Sequence, residues 1–129
     1  MATSSNSLRT PLGKVRGLGS AKEGAHHFIV QRVTAIALIG LVPWFLVNLL
    51  SVARAPFETA QAFVAHPVNA ILLLLLAGAA FWHMRLGLQV VVEDYIRKPM
   101  TKMALLILIG FVSVAATVAA AFAVLTLAV

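Results

Sequence analysis

His83 interrupts a run that is otherwise apolar, with Ile71–Trp82 before it, and an imidazole at bilayer depth must find something to bond. Two uses of the ring stay open on the sequence: a bond to a metal, or a hydrogen bond to a neighbouring helix. The chain has no cysteine, so it supplies no thiolate to an iron–sulfur cluster or a cysteine zinc site. No carboxylate stands beside His83 within the span. A lone neutral imidazole suits axial ligation of haem iron better than a zinc or di-iron cage.

Eleven and twelve positions further on, Asp94 and Tyr95 place a carboxylate and a phenol where the apolar run ends. A phenolic O–H can donate to a quinone carbonyl, and a nearby carboxylate can relay protons. The plainer alternative is an interfacial tyrosine beside an aspartate paired with Arg97 or Lys98. Arg32, flanked by Gln31 and Thr34, carries a permanent charge suited to a carboxylate such as a haem propionate. A snorkelling anchor is the other use of such an arginine. Arg85 lies about 200° around the helix from His83 and reads as a snorkelling or interhelical residue.

These residues need long helices to hold them. Of 129 residues, 61% are hydrophobic and 11% charged, against the roughly 25% charged residues of soluble domains. A soluble domain is excluded on that balance. Val33 to Ala53, Val68 to about Val92, and Met103 to Val129 are each long enough to cross a hydrocarbon core of about 30 Å at about 1.5 Å per residue. The expected fold is an all-α membrane protein of three transmembrane helices, with spans at about 30–53, 68–93 and 103–128. Pro43 is expected to kink the first span, and the polar, proline-containing Arg54–Pro67 stretch to lie outside the membrane.

Residues 1–24 form a polar, basic tail, and residues 25–129 the transmembrane domain. The tail's Ser/Arg-rich start has the composition of a transit peptide, but Pro11, Gly13, Gly17 and Gly19 break any amphipathic helix there. Eight basic residues (Arg9, Lys14, Arg16, Lys22, Arg32, Arg97, Lys98 and Lys102) fall on one side of the membrane and only Arg54 on the other. The N-terminus is therefore expected in the cytoplasm and the C-terminus on the outer side. The net charge of +6 is a topology signal, with no nucleic-acid surface implied. Small residues of the third span, among them Gly110, Ala116 and Ala120, suit close helix packing.

Depth separates the histidines. His83 lies about 16 Å from the level of Asp94, whereas His26 and His27 sit at the cytoplasmic mouth and His66 is about 25 Å away toward the other surface. Neither group can meet His83 across one iron, so a bis-histidine haem would take its second ligand from another chain. Eleven residues at about 100° each return to within about 20° of the start. His83, Gly87, Val90 and Asp94 thus share one helix face, and Gly87 leaves room for a flat macrocycle or another helix.

Two blocks of the sequence resemble the hydrophobic membrane anchor subunit of succinate dehydrogenase, the D-type anchor of respiratory complex II. In GSAKEGAHHFIVQRVTAIAL, Gly19 to Leu38, the pattern G-x-H-x-F followed by R-x-T-A is similar to the family's approach to its first span. In HMRLGLQVVVEDYI, His83 to Ile96, a histidine is followed at the family's spacing by Asp-Tyr. The resemblance implies that His83 is one axial ligand of haem b, shared with a C-type cytochrome b anchor subunit. It implies that Tyr95 and Asp94 serve ubiquinone, and that Arg32 and His26 lie near the haem propionates or the quinone pocket. His27 departs from relatives that are acidic at that position.

The function so implied is a non-catalytic subunit of succinate:ubiquinone oxidoreductase, the enzyme joining the tricarboxylic acid cycle to electron transport. It would sit in the bacterial inner membrane and dock a flavoprotein carrying FAD and an iron–sulfur subunit. A membrane scaffold or assembly protein without haem, or a small channel subunit, is the rival class.

Overall fold

The computed structural model describes residues 10–15 and 22–128, all helix, turn or short link. In chain order the helices are α1 (Pro11–Val15), α2 (Lys22–Val52), α3 (Phe57–Ala65), α4 (Pro67–Tyr95) and α5 (Pro99–Ala128). Helices α2, α4 and α5 are the three long and apolar enough to cross a membrane. The expected three spans are all present: α2 begins about two turns earlier than expected and α5 about one turn earlier, while α4 keeps its expected ends to within two residues. Helix α2 runs through Pro43 without interruption, although the ring removes the hydrogen bond that its nitrogen would have given to the carbonyl of Ile39. Helix α1 is a five-residue turn of helix that starts on a proline, the residue whose missing N–H costs least at the first position.

Helix α3 is the addition that the sequence reading did not contain. The stretch Arg54–Pro67, expected outside the membrane for its polarity and prolines, holds nine helical residues. Pro56 fixes the backbone ahead of the first turn, and Glu58 sits in that turn, where a negative charge favours the helix N-terminus. The helix folds back over the bundle end. Phe63 stacks on Trp44 of α2 with ring centroids 6.2 Å apart, and Asn69 of α4 donates to the Phe63 carbonyl at 2.8 Å.

Helix α4 is the middle of an open row. It packs against α2 on one side and α5 on the other, while α2 and α5 make no contact with each other among the described residues. Such an arrangement buries little. Only Ala70, Leu86, Val92 and Ser113 are buried among the described residues, which leaves most apolar side chains to face lipid or other chains.

Between α4 and α5 the link is short, Ile96 to Lys98. Ile96 is extended, and Lys98 precedes Pro99, a position that disfavours helix. Lys102 reaches back from α5 and donates from Nζ to the Glu93 carbonyl at 2.8 Å, satisfying one of the last acceptors of α4. This clasp fixes the end of α4 where Asp94 and Tyr95 stand.

Ser113 of α5 is 4% exposed and its Oγ has no hydrogen-bond partner among the described residues. An orphaned buried hydroxyl costs more than a methyl in the same place. Ser113→Ala is therefore expected to stabilise by about 1 kcal/mol, read as a raised thermal unfolding midpoint of the detergent-solubilised chain.

Candidate functional site

Thr34 and His83 meet at one level of the antiparallel pair α2 and α4. Thr34 lies twelve residues after Lys22, where α2 starts, and His83 twelve before Tyr95, where α4 ends. At about 1.5 Å per residue both stand roughly 18 Å from the same helix ends. Thr34 Oγ1 is 3.0 Å from His83 Nδ1. The other ring nitrogen, Nε2, makes no hydrogen bond among the described residues and is not among the enclosed orphan atoms. It is accessible from outside the chain.

The hydrogen bond to a neighbouring helix and the ligand role are thus compatible, because each uses a different nitrogen. His83 also lines a cavity of about 350 Å³ with Gln31, Arg32 and Ala35. The Arg32 guanidinium lies 5.1 Å from the centroid of the Phe28 ring, a cation–π contact that steadies it near the cavity. An imidazole with one nitrogen held by the protein and the other free, beside a guanidinium able to take a carboxylate, is a donor set that would fit haem b. Below His83, a Cβ placed on Gly87 would meet nothing within 4 Å. The space beside Gly87 is not filled by the described residues.

His26 is placed elsewhere. With His27, Arg85, Gln89 and Glu93 it lines a separate cavity of about 570 Å³ between the start of α2 and α4. His27 Nε2 is enclosed there without a partner among the described residues, and Gln89 donates to Glu93 Oε1 at 2.8 Å. Arg32 and His83 are brought together, and His26 is not brought to them. Asp94 and Tyr95 both stand exposed at the end of α4, Tyr95 with 79% of its surface free. Among the described residues Asp94 has neither a hydrogen bond nor an ion pair, so the alternative pairing with Arg97 or Lys98 is not made.

Arg85 is interhelical. Its guanidinium lies 5.4 Å from the Trp82 ring centroid and within about 4 Å of where a side chain on Gly110 would begin. That glycine in α5 makes the room. Thr34 is the residue whose role was missed. It stands in the R-x-T-A pattern, yet nothing in that pattern says which side chain of another helix it meets.

Comparison with known proteins converges on one family. Residues 6–123 match the model of the succinate dehydrogenase/fumarate reductase transmembrane subunit. The succinate dehydrogenase hydrophobic membrane anchor subunit of Rickettsia bellii is 34% identical over 112 residues, covering 87% of this chain and 90% of the relative. The subunit of the same name from Paracoccus denitrificans is 29% identical over 111 residues, covering 84% and 86%. The succinate dehydrogenase membrane anchor subunit of Reclinomonas americana is 25% identical over 96 residues, covering 72% and 80%. With the match running from the tail through all three long helices, the chain belongs to the family of succinate dehydrogenase/fumarate reductase transmembrane subunits.

Proposed function

We propose that this chain is the hydrophobic membrane anchor of a succinate:ubiquinone oxidoreductase in a bacterial inner membrane, with its N-terminus in the cytoplasm and its C-terminus outside. It docks the iron–sulfur subunit and the FAD-bearing flavoprotein on its cytoplasmic face and pairs with a C-type cytochrome b anchor. His83 would hold the iron of a haem b, and a residue of the companion chain would complete the site. When bound, the haem provides a one-electron carrier inside the membrane. The observation that carries this reading is His83 itself, with Nδ1 held by Thr34 and Nε2 open beside Arg32.

The other residues follow from their positions. Arg32 offers paired N–H donors to a propionate on the side of the cavity that it shares with His83. Tyr95, at the end of α4 and exposed in the single chain, donates its O–H to a ubiquinone carbonyl once partner subunits close over it. Asp94 passes protons between that site and water. The open row of helices suits this assembly, since α2 and α5 each keep an apolar face free of the other.

Recovery of the chain through an affinity tag, from membranes solubilised in mild detergent, tests the reading. The flavoprotein, the iron–sulfur subunit and one further anchor are expected in equal amounts with it. A preparation without the flavoprotein would return the chain to the scaffold class.

A further inference from the structure

Among the described residues the Thr34 hydroxyl has three hydrogen-bonding neighbours, and it has one proton. Oγ1 lies 2.9 Å from the Val30 carbonyl, 3.0 Å from the Gln31 carbonyl and 3.0 Å from His83 Nδ1. The two carbonyls can only accept. If Thr34 gave its proton to Nδ1, both carbonyls would face the hydroxyl oxygen lone pair to lone pair at these distances. If it gives the proton to the carbonyls, singly or shared between them, the hydroxyl lone pairs are left for a donor. Nδ1 is the remaining neighbour and must then carry the hydrogen.

The geometry points to Thr34 as a positioning residue that holds His83 in the Nδ1–H tautomer and so keeps Nε2 unprotonated and ready to bind a metal. The inference rests on the proposed ligation for its purpose, though not for its geometry. A neutral imidazole has one donor and one acceptor nitrogen, and the bond made by the first decides which nitrogen is free for a metal. Helix α2 makes the hydroxyl a good acceptor here, because its own backbone occupies the hydroxyl proton. The bond also fixes the ring's rotation, which an isolated side chain would lose entropy to hold. Partners of this kind behind a metal ligand are worth roughly ten- to a hundred-fold in metal affinity.

Two variants separate the hydroxyl from the side-chain volume: Thr34→Val, which keeps the branched shape, and Thr34→Ser, which keeps the hydroxyl. The first readout needs no haem. Nitrogen chemical shifts of histidine-labelled full-length chain in lipid nanodiscs, assigned through loss of signals in His83→Ala, are expected to show His83 protonated at Nδ1 in the wild type and in Thr34→Ser. In Thr34→Val that preference is expected to be lost. The second readout is haem retention by the purified complex against a competing apoprotein acceptor, expected to weaken roughly ten- to a hundred-fold in Thr34→Val and to be restored in Thr34→Ser. A wild-type His83 protonated at Nε2 would overturn the inference, and so would nitrogen shifts unchanged in Thr34→Val. If the complex holds no haem but the shifts behave as described, the ligand reading of His83 fails and the tautomer assignment stands.

Discussion

A complex assembled with His83→Ala in place of the wild-type chain is expected to show no b-type band in its reduced-minus-oxidised optical spectrum. The effect should be all or nothing. On the proposed reading the companion chain completes the site, and no other histidine of this chain can take the place of His83: His26 and His27 line a different cavity, seven or more residues from Thr34, or at least about 10 Å along α2, and His66 lies about 25 Å away along α4. Misfolding is a poor alternative explanation for the loss. Among the described residues the His83 side chain makes one hydrogen bond, with Thr34 Oγ1, which keeps its own contacts to the Val30 and Gln31 carbonyls when the ring is removed. That bond is worth about 1 kcal/mol net, too little to dismantle helices of this length. Subunit recovery should therefore stay near the wild-type amount while the band disappears. A band of unchanged height in the variant would mean that the iron is held by other residues.

The three long helices were legible because a bilayer sets a minimum length, and charge-free stretches of that length have few other uses. Their ends were less so. The polarity of Lys22–His27 left it outside the first span expected at about residues 30–53, yet it is continuous with that span. Helix α3 was hidden for a different reason: nine residues give a weak periodic signal, and two prolines and a histidine nearby have the composition of a loop. Its place is set by the stacking of Phe63 on Trp44, a contact between distant parts of the chain.

The candidate site shows the same division. Helical phase places His83 and Gly87 on one face of α4, and the space beside Gly87 is open in the structure. Phase on one helix cannot say which residue of another helix arrives there, so the Thr34 contact was out of reach. Arg32 and His26 were grouped by resemblance alone. Six residues apart on α2, they point about 120° away from each other, and the structure puts them in different cavities.

Tyr95→Phe is the second substitution with a large expected effect, and it divides the activity in two. Electron flow from succinate to a soluble acceptor should continue, because on the proposed reading that path lies within the partner subunits. Reduction of ubiquinone should fall. The phenol stands at the last residue of α4, held there by the extended Ile96 and by the Lys102 bond to the Glu93 carbonyl. Phenylalanine keeps the ring and the helix end and removes only the donor. A hydrogen bond to an oxygen gaining negative charge contributes about 1.5–3 kcal/mol, so the ratio of quinone reduction to soluble-acceptor reduction should drop roughly ten- to a hundred-fold. The drop depends on water being kept out, since an exposed acceptor would simply bond to solvent. In the single chain Tyr95 is 79% exposed, so the exclusion must come from partner subunits. Asp94→Asn supplies the contrast: it keeps a polar group and loses the proton relay, and should slow turnover without a matching loss of quinone affinity. Equal quinone reduction by wild type and Tyr95→Phe would leave the tyrosine as an interfacial anchor and remove it from the site.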